Sequence, residues 1–109
     1  CPMKIAVSSS GSDPDSEMDE RLGRCPYFMI LDTSTGKMEA IVNTAAESSS
    51  GAGTRAMQLL VDRGVEVIIS GRIGPHASAM LGDSGMESVT GRSGKVGKVL
   101  EDFRRERGL

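Results

Sequence analysis

Tyr27-Phe28-Met29-Ile30-Leu31-Asp32-Thr33-Ser34-Thr35-Gly36-Lys37-Met38-Glu39-Ala40-Ile41-Val42 holds two apolar runs around a short polar turn. Tyr27 to Leu31 predicts a strand. Thr33-Ser34-Thr35-Gly36 predicts a hairpin turn, with glycine where a positive φ is often needed. Lys37 to Val42 then returns as an antiparallel strand. Upstream, Met3-Lys4-Ile5-Ala6-Val7 reads as a buried first strand that ends in Ser8-Ser9-Ser10-Gly11. The chain therefore opens with a three-stranded meander.

Downstream the period changes from two to 3.6. Ala52, Ala56, Leu59 and Leu60 share one face of a helix expected from about Ala52 to Arg63, with Gly64 as its stop. Val65 to Ser70 is a strand. Pro75 suits the first turn of a helix, and Ala77, Met80 and Leu81 give that helix an apolar stripe. Glu87 to Thr90 is a short last strand. Ser93 is expected to cap a final helix, starting near residue 94, whose Val96, Val99, Leu100 and Phe103 lie on one face. The order is βββαβαβα. The last two strands enter through helices, so right-handed crossovers place them parallel to the first. The fold class is α/β: an RNase H-like, mixed five-stranded sheet in order 3-2-1-4-5 with three helices, in a single domain over residues 1–109.

Composition narrows the function classes. With 109 residues, 38% hydrophobic and 26% charged, the chain can bury a core without staples. It has no Trp, one Tyr and two Phe, so that core is aliphatic. A net charge of −2 does not suit a general nucleic-acid binder. Five acids fall between Asp13 and Glu20, a stretch with no apolar period that reads as a solvated, mobile loop without anchors. It lacks the EF-hand spacing. Cys1 and Cys25 form no close pair, which excludes a zinc ribbon or thioredoxin-type motif, and a disulfide between them is disfavoured. No apolar run approaches the ~20 residues of a membrane span, and no signal-peptide pattern is visible. The expected location is the cytoplasm.

In open α/β sheets ligands gather beyond the carboxyl ends of the parallel strands. Those ends carry Ser8-Ser9-Ser10-Gly11, Ser50-Gly51-Ala52-Gly53, Ser70-Gly71-Arg72-Ile73-Gly74-Pro75-His76 and Thr90-Gly91-Arg92-Ser93-Gly94-Lys95. Each is rich in Gly and Ser, and three open a helix, so free amides and positive helix ends converge. The expectation is an anion-binding concavity formed by Ser10, Arg24, Gly51, Gly53, Arg72, Gly74, Gly91 and Arg92. Cys25 and His76 are candidate metal ligands; on its own, a lone Cys more often serves as a small buried hydrophobe. No P-loop or dinucleotide fingerprint is present. The seven methionines read mainly as core.

Met3 to Ser9, Leu22-Gly23-Arg24-Cys25-Pro26-Tyr27-Phe28, Gly51-Ala52-Gly53, and Gly64 to Gly71 running into Gly74-Pro75-His76-Ala77 occur in an order that resembles the dinitrogenase iron–molybdenum cofactor-binding family. This is the family of NifX, the NafY core, the NifB C-terminal domain and the orange protein. The resemblance covers residues 3 to 104. It implies an RNase H-like fold without nuclease activity, and binding of an iron–molybdenum, molybdenum–copper or iron–sulfur cluster, or its precursor, without covalent bonds. An apo form is also expected. Members often carry His-Phe before Gly-Arg; Arg21-Leu22 stands there in this chain, which removes one candidate ligand. His76 stands where many members have Asn or Arg.

The expected function is a non-enzymatic carrier of such an anionic cluster in dinitrogenase cofactor biosynthesis or a related pathway. Its partners would be the cluster and a cluster-biosynthesis protein, with no nucleic acid and no membrane, and the chain a monomer or weak dimer. The alternative is a regulatory module that binds a small organic anion or nucleotide at the same loops. A nuclease would need clustered carboxylates for two metals, and the first strand has none.

Overall fold

The computed structural model describes residues 4–13, 15–21, 25–44, 52–73 and 75–108, and of residues 52, 53, 75–77 and 84 the backbone. Five strands, β1 (Lys4–Ser9), β2 (Tyr27–Asp32), β3 (Met38–Val42), β4 (Val67–Ile69) and β5 (Glu87–Val89), alternate as expected with α1 (Ala52–Asp62), α2 (Pro75–Ser84) and α3 (Val96–Arg107). The sheet order is β3-β2-β1-β4-β5. β2 runs antiparallel to both β1 and β3, whereas β4 and β5 run parallel to β1.

Strand alternation divides the core into two layers. Ala6, Phe28, Ile30, Ile41 and Ile68 point to the face covered by Ala56, Met57 and Leu60 of α1 and Leu81 of α2. Ile5, Val7, Met29, Leu31, Val67 and Ile69 point to the other face, covered by Val96, Val99, Leu100 and Phe103 of α3. The apolar stripe read for the last helix is therefore its buried face. Gly36 ends the β2–β3 turn at φ 74°. There the Asp32 carboxylate accepts from the Ser34 amide and hydroxyl, which holds its pKa below the usual carboxylate value.

Three local readings need correction. β4 and β5 are three residues each, because Val67–Ile69 pair with Ile5–Val7 on one side and Glu87–Val89 on the other, and pairing stops there. The cap of α3 is Lys95, not Ser93, and it makes no side-chain cap bond. The Val96 amide instead donates to the carbonyl of Ser16 at 3.0 Å, so one amide of the first turn is satisfied from the acidic segment. That segment is also not without anchors. Met18 packs on the α3-side core, and the segment bridges to Ser9, Lys95 and Arg72.

Candidate functional site

The carboxyl ends of β1, β4 and β5 meet at one edge of the sheet, as the parallel pairing requires. Residues 15–21 lie across this edge as a strap. The Ser10 amide donates to the Glu17 carbonyl at 3.0 Å, and the Ser10 hydroxyl donates to the same oxygen at 2.8 Å. The Asp19 amide donates to the Ser8 carbonyl at 2.9 Å, while the Ser8 hydroxyl donates to the Asp19 carbonyl at 2.6 Å. The Arg72 amide donates to Glu20 at 2.9 Å and the Met18 amide to Gly94 at 2.8 Å. Ser8, Ser9 and Ser70 are fully buried beneath the strap, and their hydroxyls are all used. Gly71 is needed here for space: a Cβ would fall 2.8 Å from the Glu20 Cα.

A shallow pocket of about 350 Å³ opens beside the strap, lined by Glu17, Met18, Glu20, Gly71 and the loop Gly91 to Gly94. Gly94 takes φ 109°, a conformation that side chains disfavour, which lets the loop turn into α3. The amides of Ser93, Gly94, Lys95, Gly97 and Lys98 donate to no acceptor among the described residues. They lie at the positive end of a twelve-residue helix. These donors are what remain for a ligand after the strap has taken its share.

The expected site residues separate accordingly. Ser10 is at the edge, with both of its donors taken by the strap. Gly91 is in the pocket wall. Arg72 is also at the edge, 73% exposed and 3.6 Å from the Glu20 carboxylate. Arg92 contributes backbone to the pocket, but its guanidinium makes a two-pronged pair with Glu106 at 2.9 and 2.6 Å. Glu106 is ten residues beyond Val96, about 15 Å along α3. The pair lowers the Glu106 pKa and raises that of Arg92. Arg92 thus ties the loop to the far end of α3 rather than reaching over the pocket.

Cys25 is fully buried in the core on the α1 and α2 side. Burial, and then the nearby Asp19 charge, push its thiol up to about 12. The Asn43 side-chain amide donates to the Cys25 carbonyl at 2.8 Å. A metal ligand needs an accessible thiolate, so the placement matches the core reading of this cysteine. His76 lies in the first turn of α2, of which only the backbone is described, and Gly53 in that of α1. Arg24, Gly51 and Gly74 lie outside the described residues. No group of three His, Cys, Asp or Glu side chains able to hold a metal ion occurs among the described residues. Sequence reasoning missed Glu17 and Glu20 as pocket walls, because it treated the acidic segment as separate from the site.

Residues 3–106 match the model of the family described as dinitrogenase iron-molybdenum cofactor. The chain belongs to that family. It is similar to the apo form of the orange protein from Desulfovibrio gigas, with 30% identity and a TM-score of 0.91 over 96% of this chain and 89% of that one. It is similar also to a Thermotoga protein of the DUF35 family, provisionally described as NifB. That match has 30% identity and a TM-score of 0.83 over 96% of this chain and 90% of the other. An uncharacterized protein of Methanocaldococcus jannaschii is 29% identical over 104 residues, 93% of this chain and 85% of that one. Family membership points to binding of a cluster related to the iron–molybdenum cofactor. None of the described helices is long and apolar enough to cross a membrane.

Proposed function

We propose that this protein is a non-enzymatic carrier of an anionic iron- or molybdenum-containing metal–sulfur cluster or its precursor, held at the carboxyl edge of the sheet. The observation that carries the reading is the pair of unused amides of Ser93 and Gly94 in the pocket wall that leads into α3, with the exposed Arg72 next to Gly71 of the same wall. Amides at a helix N-terminus and an exposed guanidinium recognise charge and sulfur acceptors without a metal–protein bond. The described donor set fits enclosure of a preformed anion better than direct coordination.

Glu17 and Glu20 oppose any anion in that pocket, and Glu20 also holds Arg72. A unit charge 4 Å away is worth about 1 kcal/mol in water. Glu20→Gln should therefore tighten anion binding about fivefold, whereas Arg72→Ala should weaken it roughly tenfold through one lost charge-assisted bond. Arg92→Ala should change affinity less than Arg72→Ala, because its guanidinium is committed to Glu106. The measurement is anaerobic titration of the apo protein with tetrathiomolybdate, with and without copper, followed by absorbance and metal analysis. No saturable binding by the wild type removes the proposal. A loss confined to His76→Ala would replace enclosure with direct coordination through that residue.

A further inference from the structure

β3 forms one edge of the sheet, with β2 as its neighbour on the inner side. Which of its backbone groups β2 uses follows from the two ends of the ladder. The Asn43 amide donates to the Pro26 carbonyl at 3.0 Å, and the Asp32 amide donates to the Lys37 carbonyl at 2.9 Å. Hydrogen-bonded pairs alternate along an antiparallel ladder. Lys37, Glu39, Ile41 and Asn43 therefore turn their amides and carbonyls toward β2, while Met38, Ala40 and Val42 turn theirs outward. Among the described residues nothing bonds these outward groups.

Edge strands that must stay single are usually guarded by lysine, proline or a bulge. Met38-Glu39-Ala40-Ile41-Val42 has neither residue, and its register with β2 is unbroken. Its one charge, Glu39, is paired with Arg63 at 3.2 Å. The opposite edge, β5, is only three residues long and starts at Glu87, which Arg107 holds. The residues of β3 with outward backbone also share the α3 face. Met38 and Ala40 sit at the margin of that core, and Val42, 60% exposed, is the most exposed large apolar side chain among the described residues.

We propose that β3 pairs antiparallel with β3 of a second copy of this chain, across a two-fold axis at Ala40. Among antiparallel registers, this one alone brings all three outward residues of each copy into hydrogen-bonded positions. Ala40 faces Ala40, and Met38 of each copy faces Val42 of the other, for about six hydrogen bonds. The side chains agree with the backbone. The exposed Val42 is covered by Met38 twice over, the small Ala40 lies at the axis, and Glu39 falls opposite Ile41 rather than opposite its own copy. β3 runs parallel to β1, so the two carboxyl edges point to opposite ends of the joined sheet and both pockets stay open. Contact along one five-residue strand falls short of the roughly 1,000 Å² that stable interfaces bury, so the dimer is weak and depends on concentration.

The test is sedimentation of the full chain between about 10 μM and 1 mM, with amide exchange of the isotope-labelled chain at both ends of that range. A monomer is expected at the low end and a mixture of monomer and dimer at the high end. In the monomer the amides of Glu39 and Ile41 should exchange slowly and those of Met38, Ala40 and Val42 fast. At the high end these three should slow at least twofold, while Glu39 and Ile41 do not change. Ala40→Pro removes an outward amide that β2 does not use, which an edge strand tolerates, and should abolish association. Val42→Lys, at an exposed position, should weaken it at least tenfold. Self-association that survives both variants, or that leaves the three outward amides unchanged, overturns the proposal. Protection of those amides already at 10 μM overturns it too, since the edge would then be covered within one chain. So does the absence of any association at 1 mM, which would leave the edge to a strand of another protein.

Discussion

Replacing Phe103 by alanine is expected to lower the unfolding free energy by about 3–5 kcal/mol. Phe103 is 1% exposed and is one of the two bulkiest fully buried side chains. It belongs to the single stripe by which α3 covers its face of the sheet, together with Val96, Val99 and Leu100. Among the described residues no second helix flanks α3 to close over the hole, so the neighbours that could relax are the strand residues beneath. The Arg107 guanidinium, 4.8 Å from the ring centroid and paired with Glu87, also loses its stacking surface. Domains of this size are usually stable by about 5–15 kcal/mol, so the variant should unfold at a much lower urea concentration. Glu101→Ala, on the exposed side of the same helix, should shift stability by less than about 0.5 kcal/mol. A Phe103→Ala loss below about 1 kcal/mol would show that α3 contributes little to the fold.

The sheet order was legible because it follows from chain connectivity. A hairpin at Thr33–Gly36 fixes β2 against β3, and two helical segments force β4 and β5 to run parallel to β1. The periodicity of α3 was equally plain, since Val96, Val99, Leu100 and Phe103 are spaced for one face and all four are buried. What the sequence hid was structure made by backbone groups. The strap is held mainly by carbonyls and amides of residues 16 to 20, which carry no residue-type signature, and Met18 is its sole apolar anchor. The same bonds explain the missed cap: a carbonyl from Ser16, eighty residues upstream of Val96, serves α3 where Ser93 was expected to.

The candidate site was legible as an edge but not as a set of side chains. Gly71, Arg72 and the Gly91–Gly94 loop do converge there. The direction of each guanidinium depends on partners far away in sequence. Arg72 meets Glu20, and Arg92 meets Glu106. Charge counting along a loop cannot distinguish a cation that faces a ligand from one already spent on an internal carboxylate. The acidic segment was read as solvated because it is acidic and has no apolar period, yet two of its acids line the pocket beside these loops.

Between pH 9 and 12 the wild type is expected to lose up to roughly 4 kcal/mol of stability that Cys25→Ala does not lose. The Cys25 thiol is raised from an ordinary 9.0 to about 12, chiefly by burial and secondarily by Asp19. The folded chain therefore holds this proton more tightly than the unfolded chain. Below about pH 9 both forms are protonated, and the group adds no pH dependence. Above it the unfolded thiol ionises while the folded one does not. Stability then falls with rising pH by up to about 1.4 kcal/mol per unit, until the folded thiol also titrates near 12. Every other group is common to both proteins and cancels in the difference. The measurement is the urea midpoint of wild type and Cys25→Ala at pH 8, 9, 10 and 11, with the gap between them narrowing or inverting as pH rises. Parallel curves would mean that Cys25 ionises freely in the folded chain, contrary to its burial. That outcome would also restore it as a candidate thiolate ligand, because the barrier to ligation argued here is the cost of ionising a sulfur enclosed by the core.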